Sequence, residues 1–140
     1  MDSLHLAHLI FIGCWAGLVL AETVVEGGGR YGWVKPRDTA VLHYWMDVLI
    51  EAPLLLAIAL TGLLLMRTAW PLTALHHIKI LSALVAIGLN LYCISLVLER
   101  YRRREEPEAV LRLSRQILVS GAGVPFAGAA AWIGLVYFTG

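Results

Sequence analysis

The chain has 140 residues, 59% of them hydrophobic and 15% charged, and a formal net charge of +1; its mean hydropathy is +0.75. That balance excludes a soluble domain of this length, which would carry about a quarter charged residues. It also excludes the strongly basic surface expected of a nucleic-acid-binding protein.

Four apolar stretches, 4–22, 41–66, 74–98 and 117–138, organise the chain. Each is near or above the ~18–20 residues an α-helix needs to cross hydrocarbon. The sequence therefore predicts an all-α, integral-membrane bundle of four spanning helices, one domain over 1–140 with three short connections. Membrane lipid is its first partner.

The first helix carries His5, His8, Cys14 and Trp15, and approaches Glu22 and Glu26 before Gly27-Gly28-Gly29, where it is predicted to end. Asp2 is the only formal side-chain charge before Glu22, so a basic leader region is missing and a retained helix is expected. Trp15 lies near mid-helix, away from the interfacial aromatic belts that suit Trp33 and Trp70. Pro36 precedes the second helix, with Asp38 or Thr39 as its N-cap. Within it, His43, Asp47 and Glu51 follow at i, i+4 and i+8 and stack on one face. Pro53 and, in the fourth helix, Pro125 are expected to kink their helices.

Trp70-Pro71 marks a tight turn, and Thr73 is the expected N-cap of the third helix, which opens with His76, His77 and Lys79. A charged connector containing Arg100, Arg102, Arg103, Arg104 and Pro107 follows, and Glu108–Gln116 reads as an amphipathic approach to helix four. Gly121, Gly123, Gly128 and the alanines near them make that helix a small-residue packing face, which leaves room for a homo-oligomer. Neither Cys14 nor Cys93 belongs to a CxxC or CxxCH pattern, so no covalent haem and no disulfide are expected.

Basic residues concentrate in the first and third connections: Arg30, Lys35 and Arg37 in one, the arginine run in the other. By the positive-inside rule these face the cytoplasm, and both termini lie on the outer, periplasmic side of a plasma (inner) membrane. Glu99, Glu105, Glu106 and Glu108 interleave with the arginines, so the run is a mixed-charge connector and no nucleic-acid partner is expected.

Alternating spans put His5, His8, His76 and His77 at one depth, within roughly 5–8 Å at 1.5 Å rise per residue. Imidazole is a general ligand for iron, copper and zinc. Two imidazoles facing across a slot suit a b-type haem, whose propionates would meet Arg67 and Lys79. Gly13, Gly17 and Gly88 are candidates to clear space for the ring. Copper bound through the same four histidines is the alternative. In the other half of the bilayer, His43, Asp47 and Glu51 form a candidate proton path, or else a hydrogen-bonded cluster that holds the Pro53 kink. Glu22 and Glu26 are expected at the nearby interface.

His8 seven residues before Trp15, then His77-Ile78-Lys79 opening a later helix, resembles the HemJ family and the wider group with CopD-type copper-resistance domains. The resemblance covers two of the four helices. It implies a helical haem b protein linked to protoporphyrinogen IX oxidation, with His8 and His77 on iron and Lys79 and Trp15 at the cofactor. His5 and His76 then serve as an alternative pair or a second metal site. The chain departs from the family in lacking a basic residue early in helix two and an N-E-x-P element in helix four. Three functions follow: an electron-transfer haem protein working with quinone, a porphyrinogen oxidase, and a copper-handling membrane protein.

Overall fold

The computed structural model describes residues 3–137, all of its regular elements being helical. The first span is α1, Ser3–Arg30. The second is α2, Pro36–Met46, continued through a π turn at Asp47–Glu51 into α3, Ala52–Thr68. The third is α4, Ala74–Arg102. The fourth is α5, Pro107–Ser120, followed by α6, Gly123–Tyr137. All four are long and apolar enough to cross a membrane, which fits an integral membrane protein. Their exposed faces carry Leu20, Val24, Leu56, Leu81, Val119 and Trp132, a surface suited to lipid rather than water.

The spans overshoot the sequence-predicted bounds, mostly at the end where loops 31–35 and 103–106 lie, called here the arginine-rich end. Helix one does not stop at the glycines but continues to Arg30. Those glycines let α1 and the start of span two approach closely. A Cβ on Gly29 would lie 2.5 Å from the Thr39 hydroxyl, and one on Gly28 would lie 3.2 Å from Val34. The chain reverses instead at Gly32, whose φ of 79° favours a residue without Cβ. Span two begins at Pro36 with Lys35 as N-cap, so neither Asp38 nor Thr39 caps it. Thr39 lies inside the first turn and donates its hydroxyl to the Lys35 carbonyl at 3.2 Å. At the opposite end Thr73 caps α4 as expected, in a reciprocal box with His76. Phe138, the last residue of the predicted fourth helix, lies outside the described residues.

The two prolines act differently. Pro53 has no N–H to give Leu49, and the π turn lies directly ahead of it. In an α-helix every fourth residue overshoots a full turn by about 40°. A wider turn holds more residues, so Asp47 and Glu51 stay in line with His43, and all three are buried. Pro125 does not kink a helix interior. The fourth span breaks at Gly121–Ala122, and Pro125 falls in the first turn of α6.

Packing divides the bundle in two. At the arginine-rich end α1, α2, α4 and α5 converge around Leu96, Val97, Leu113 and Ile117, with Tyr44 and Cys93 against them. Towards the end holding Ser3 and the 69–73 turn, the bundle consists of two pairs, α1 with α3 and α4 with α6. Both cysteines are free.

Candidate functional site

Where the four helices converge, the interior is polar. Glu22 and Glu26 lie one turn apart on α1, His43 on α2, Asp47 and Glu51 on the π turn, and Arg100 near the end of α4. All six are buried, Arg100 and Asp47 almost completely, at 0% and 1% exposure. A polar interior inside an apolar exterior reverses the soluble pattern, and buried ionisable groups in such a protein mark function.

The arrangement is specific. Arg100 grips Glu26 with both arms, Nη1 donating to Oε2 at 2.8 Å and Nη2 lying 2.6 Å from Oε1. Nη1 also donates to Ser114 Oγ at 2.8 Å, which ties α5 to the group. His43 Nδ1 donates to Glu26 Oε1 at 2.5 Å. That nitrogen therefore carries the hydrogen, and the 3.0 Å approach of Arg100 Nη2 to it is a contact rather than a second bond. The opposite nitrogen, Nε2, faces Asp47 Oδ1 at 3.3 Å and Glu22 Oε2 at 3.8 Å. Further along, Glu51 Oε1 accepts from Trp15 Nε1 at 2.9 Å and from Asn90 Nδ2 at 2.8 Å.

Four carboxyl groups thus share one interior with a single guanidinium and one imidazole. Several polar atoms there have no hydrogen-bond partner among the described residues: Glu22 Oε1, both Asp47 carboxylate oxygens, Asn90 Oδ1 and Arg100 Nε. Unbalanced buried carboxylates are costly unless a proton, a metal or another cation joins them. A cavity of about 240 Å³ adjoins the cluster, with Trp15, Glu22, Glu26, His43, Glu51 and Asn90 in its wall.

The sequence-predicted stripe of His43, Asp47 and Glu51 is brought together here, and Trp15 joins it through its indole. Glu22 and Glu26, expected at an interface, are interior. Asn90 has no role in the sequence reading, and Arg100 is read there only as part of the charged connector that sets the topology. A readable pattern does mark them: Ala86, Asn90, Cys93, Val97 and Arg100 recur at alternating steps of four and three, the spacing of one helix face. Arg100 continues the buried face of α4 into what otherwise reads as a charged loop.

The predicted haem layer is arranged differently. His8 is buried between α1 and α3. Its Nδ1 lies 2.7 Å from Thr61 Oγ1, and its ring rests where a Cβ on Gly62 would stand 3.3 Å away. Since Thr61 gives its own hydroxyl hydrogen to the Ala57 carbonyl at 2.7 Å, His8 Nδ1 is the donor of that pair. Lys79 reaches across to α6, its Nζ 2.8 Å from a Cβ built on Gly134. His77 is exposed, its Nδ1 turned back to the Thr73 carbonyl at 2.8 Å. His76 belongs to the same cap. The His77 bond engages Nδ1 and is compatible with ligation through Nε2. Arg67 is exposed in the last turn of α3. Among the described residues, a Cβ on Gly13, Gly17 or Gly88 would meet nothing within 4 Å, whereas Gly62 and Gly134 take close approaches.

Compared with models of known families, with curated proteins and with solved structures, the chain matches none.

Proposed function

We propose that the chain is an integral-membrane redox protein in which the buried acid cluster exchanges protons in step with electron transfer at a haem b. In this reading the arginine-rich loops face the cytoplasm and both termini face the outer side of the plasma membrane, following the bias of basic residues. The observation that carries it is Glu51. This carboxyl is held by two fixed donors, Trp15 and Asn90, on the wall of a cavity. It belongs to an interior that holds more acids than fixed cations. Such a group is placed to take or give a proton when hydrogen is removed from a quinol or a porphyrinogen edge entering that cavity.

The haem part rests on His8. A ligating imidazole commonly donates its second N–H to an oxygen, which fixes ring and tautomer, and His8 donates Nδ1–H to Thr61, which leaves Nε2 as the ligand atom. Haem b would supply one-electron chemistry, and Lys79 would stand near for a propionate. A copper site built from His5, His8, His76 and His77 draws less support, because His76 Nδ1 accepts from the Thr73 backbone N–H at 3.2 Å, which puts the hydrogen of its neutral ring on Nε2.

The deciding measurement is the optical spectrum of the purified protein, oxidised and reduced. A haem b reading expects a Soret band that sharpens and shifts on reduction, and that is lost in His8→Ala. A colourless protein from haem-sufficient cells overturns it. Complementation of a strain lacking protoporphyrinogen oxidase separates an oxidase from an electron carrier.

A further inference from the structure

We propose that Glu22, His43 and Asp47 bind one divalent first-row transition-metal ion inside the bilayer. The inference builds on the reading of this cluster as a cation-handling site and names a second cation for it.

Each of the three residues offers one ligand atom, all within 4.8 Å of one another, and all three side chains are buried. Metal–oxygen and metal–nitrogen bonds of roughly 2.0–2.2 Å place neighbouring ligand atoms about 3–3.5 Å apart. The pair His43 Nε2 and Asp47 Oδ1 already stands at 3.3 Å, and Glu22 Oε2 at 3.8 Å from the same nitrogen. The third pair, Glu22 and Asp47, lies within 4.8 Å, so Glu22 closes by about 1 Å to complete the set.

Proximity alone would be weak, since carboxylates gather for other reasons. Two further observations point to a ligand. Both oxygens of Asp47 and Oε1 of Glu22 are buried with no hydrogen-bond donor, at 1% and 7% residue exposure. Native interiors rarely leave such atoms unmatched. Moreover, His43 is already held as metal-ligating histidines are held. Its Nδ1–H goes to the Glu26 carboxylate, and Glu26 is fixed in turn by the Arg100 fork. This carboxylate–histidine arrangement sets the tautomer and leaves the Nε2 lone pair directed at Asp47 and Glu22. A lone pair on Nε2 facing two carboxylates is repulsive, and either a proton on that nitrogen or a cation between the three groups relieves it.

Charge supports the same assignment. A dication balances Glu22 and Asp47, Arg100 balances Glu26, and Glu51 is left as the one carboxyl for a proton. Two carboxylates with one imidazole are a hard-to-borderline set, suited to manganese, iron(II) or zinc rather than to copper(I). The cavity borders Glu22 and His43 and gives the ion an entry path and room for water on its open positions.

The test uses the full chain in lipid nanodiscs, stripped with a chelator and titrated with Mn²⁺ near neutral pH. We expect one Mn²⁺ per chain by metal analysis, and pulsed EPR should reveal coupling to one histidine nitrogen. Asp47→Asn and Glu22→Gln keep shape and should each weaken binding at least tenfold, and His43→Gln should abolish the nitrogen coupling. Glu26→Gln should weaken binding without removing that coupling, and Glu105→Gln, in the exposed loop, should match wild type. Helical circular dichroism and monodisperse elution establish that each variant is folded. Absence of Mn²⁺ binding by the wild-type protein, or equal binding by Asp47→Asn and Glu22→Gln, overturns the site. Proton exchange is read separately, from the effect of Glu51→Gln on pH dependence. A metal-free result with that effect intact overturns the metal site alone, and metal binding without that effect overturns the proton reading alone.

Discussion

Arg100 and Glu26, 74 positions apart in sequence, form a two-armed ion pair inside the bundle, at 2.8 and 2.6 Å. The pair joins the third span to the first, and the Ser114 and His43 contacts extend it to the other two. Removing one member of a buried pair leaves the other charged and unmatched, at a cost of about 3–5 kcal/mol. Arg100→Met should therefore lower the unfolding midpoint strongly in micelles, by thermal or SDS titration. Arg100→Met combined with Glu26→Gln should recover much of that loss. A single variant as stable as wild type would show that the pair contributes nothing to the fold.

The glycines at the end of α1 make a second, purely steric prediction. A Cβ on Gly29 would fall 2.5 Å from the Thr39 hydroxyl and 3.0 Å from its methyl group. Gly29→Ala should cost about 1–3 kcal/mol, as overpacking of a tight contact does. Adding Thr39→Ala to it should restore most of the stability. If Gly29→Ala unfolds at the wild-type temperature, the α1–α2 approach is looser than described. Gly27 is the control, because nothing lies within 4 Å of a Cβ there.

How much of this could be read from sequence depends on the kind of residue. The spans follow from apolar length, which needs no knowledge of neighbours. Their ends do not. Gly27-Gly28-Gly29 has the composition of a terminator, yet Gly28 and Gly29 work as a contact surface for Val34 and Thr39, a fact that depends on the segment that follows. The stripe of His43, Asp47 and Glu51 was legible because all three lie on one helix at a fixed period. Arg100 was masked by the arginines around it, though its step from Val97 and Cys93 carried the information. His8, His77 and their neighbours share a depth that sequence can count. Which way each ring turns depends on Thr61 and Thr73, hydrogen-bond partners that depth does not reveal.

The third connection gives a pH prediction outside the membrane-spanning segments. Glu105 is held below its ordinary value of 4.5 chiefly by its hydrogen bond from Arg37, at 2.7 Å. Glu106 is lowered in the same way, chiefly by its hydrogen bonds from Arg103. Carboxyls depressed in the folded state stabilise it above their unfolded pKa, and the effect disappears as pH falls through the lowered values. The 103–106 loop should therefore stay closed from neutral pH to about pH 4–5 and loosen below that. Both groups are fully exposed, so salt should weaken the same contacts. Hydrogen exchange in nanodiscs between pH 3 and 7, corrected for intrinsic rates, measures this. Protection that is flat across the range, or lost on raising the pH, contradicts it.

The proposed sidedness is tested at the same loops. With the native cysteines replaced, a cysteine at Ser3 should react with an impermeant reagent added to the outer face of intact cells, and one at Glu106 only after permeabilisation. Labelling of Glu106 alone reverses the orientation. Labelling of both positions removes the four-span reading.

Glu51 decides whether the buried cluster works with protons or only shapes the helix around Pro53. Its Oε1 is held by Trp15 and Asn90 at 2.9 and 2.8 Å, and both donors are neutral. Glu51→Gln keeps the shape of the side chain and its acceptor oxygen, so a structural role predicts little change in stability or haem content. With haem b bound as proposed, a proton role predicts that haem content stays the same while the midpoint potential loses part of its slope with pH. Full coupling of one proton to one electron corresponds to about 59 mV per pH unit, the value for a tenfold change at n = 1. Trp15→Phe removes the indole donor alone and should shift the pH at which the slope changes without abolishing the slope. Asn90→Leu removes the other donor and should act in the same direction. Potentials of wild type and all three variants that coincide from about pH 5 to 9 would leave Glu51 a structural residue, holding α1 and α4 to the π turn.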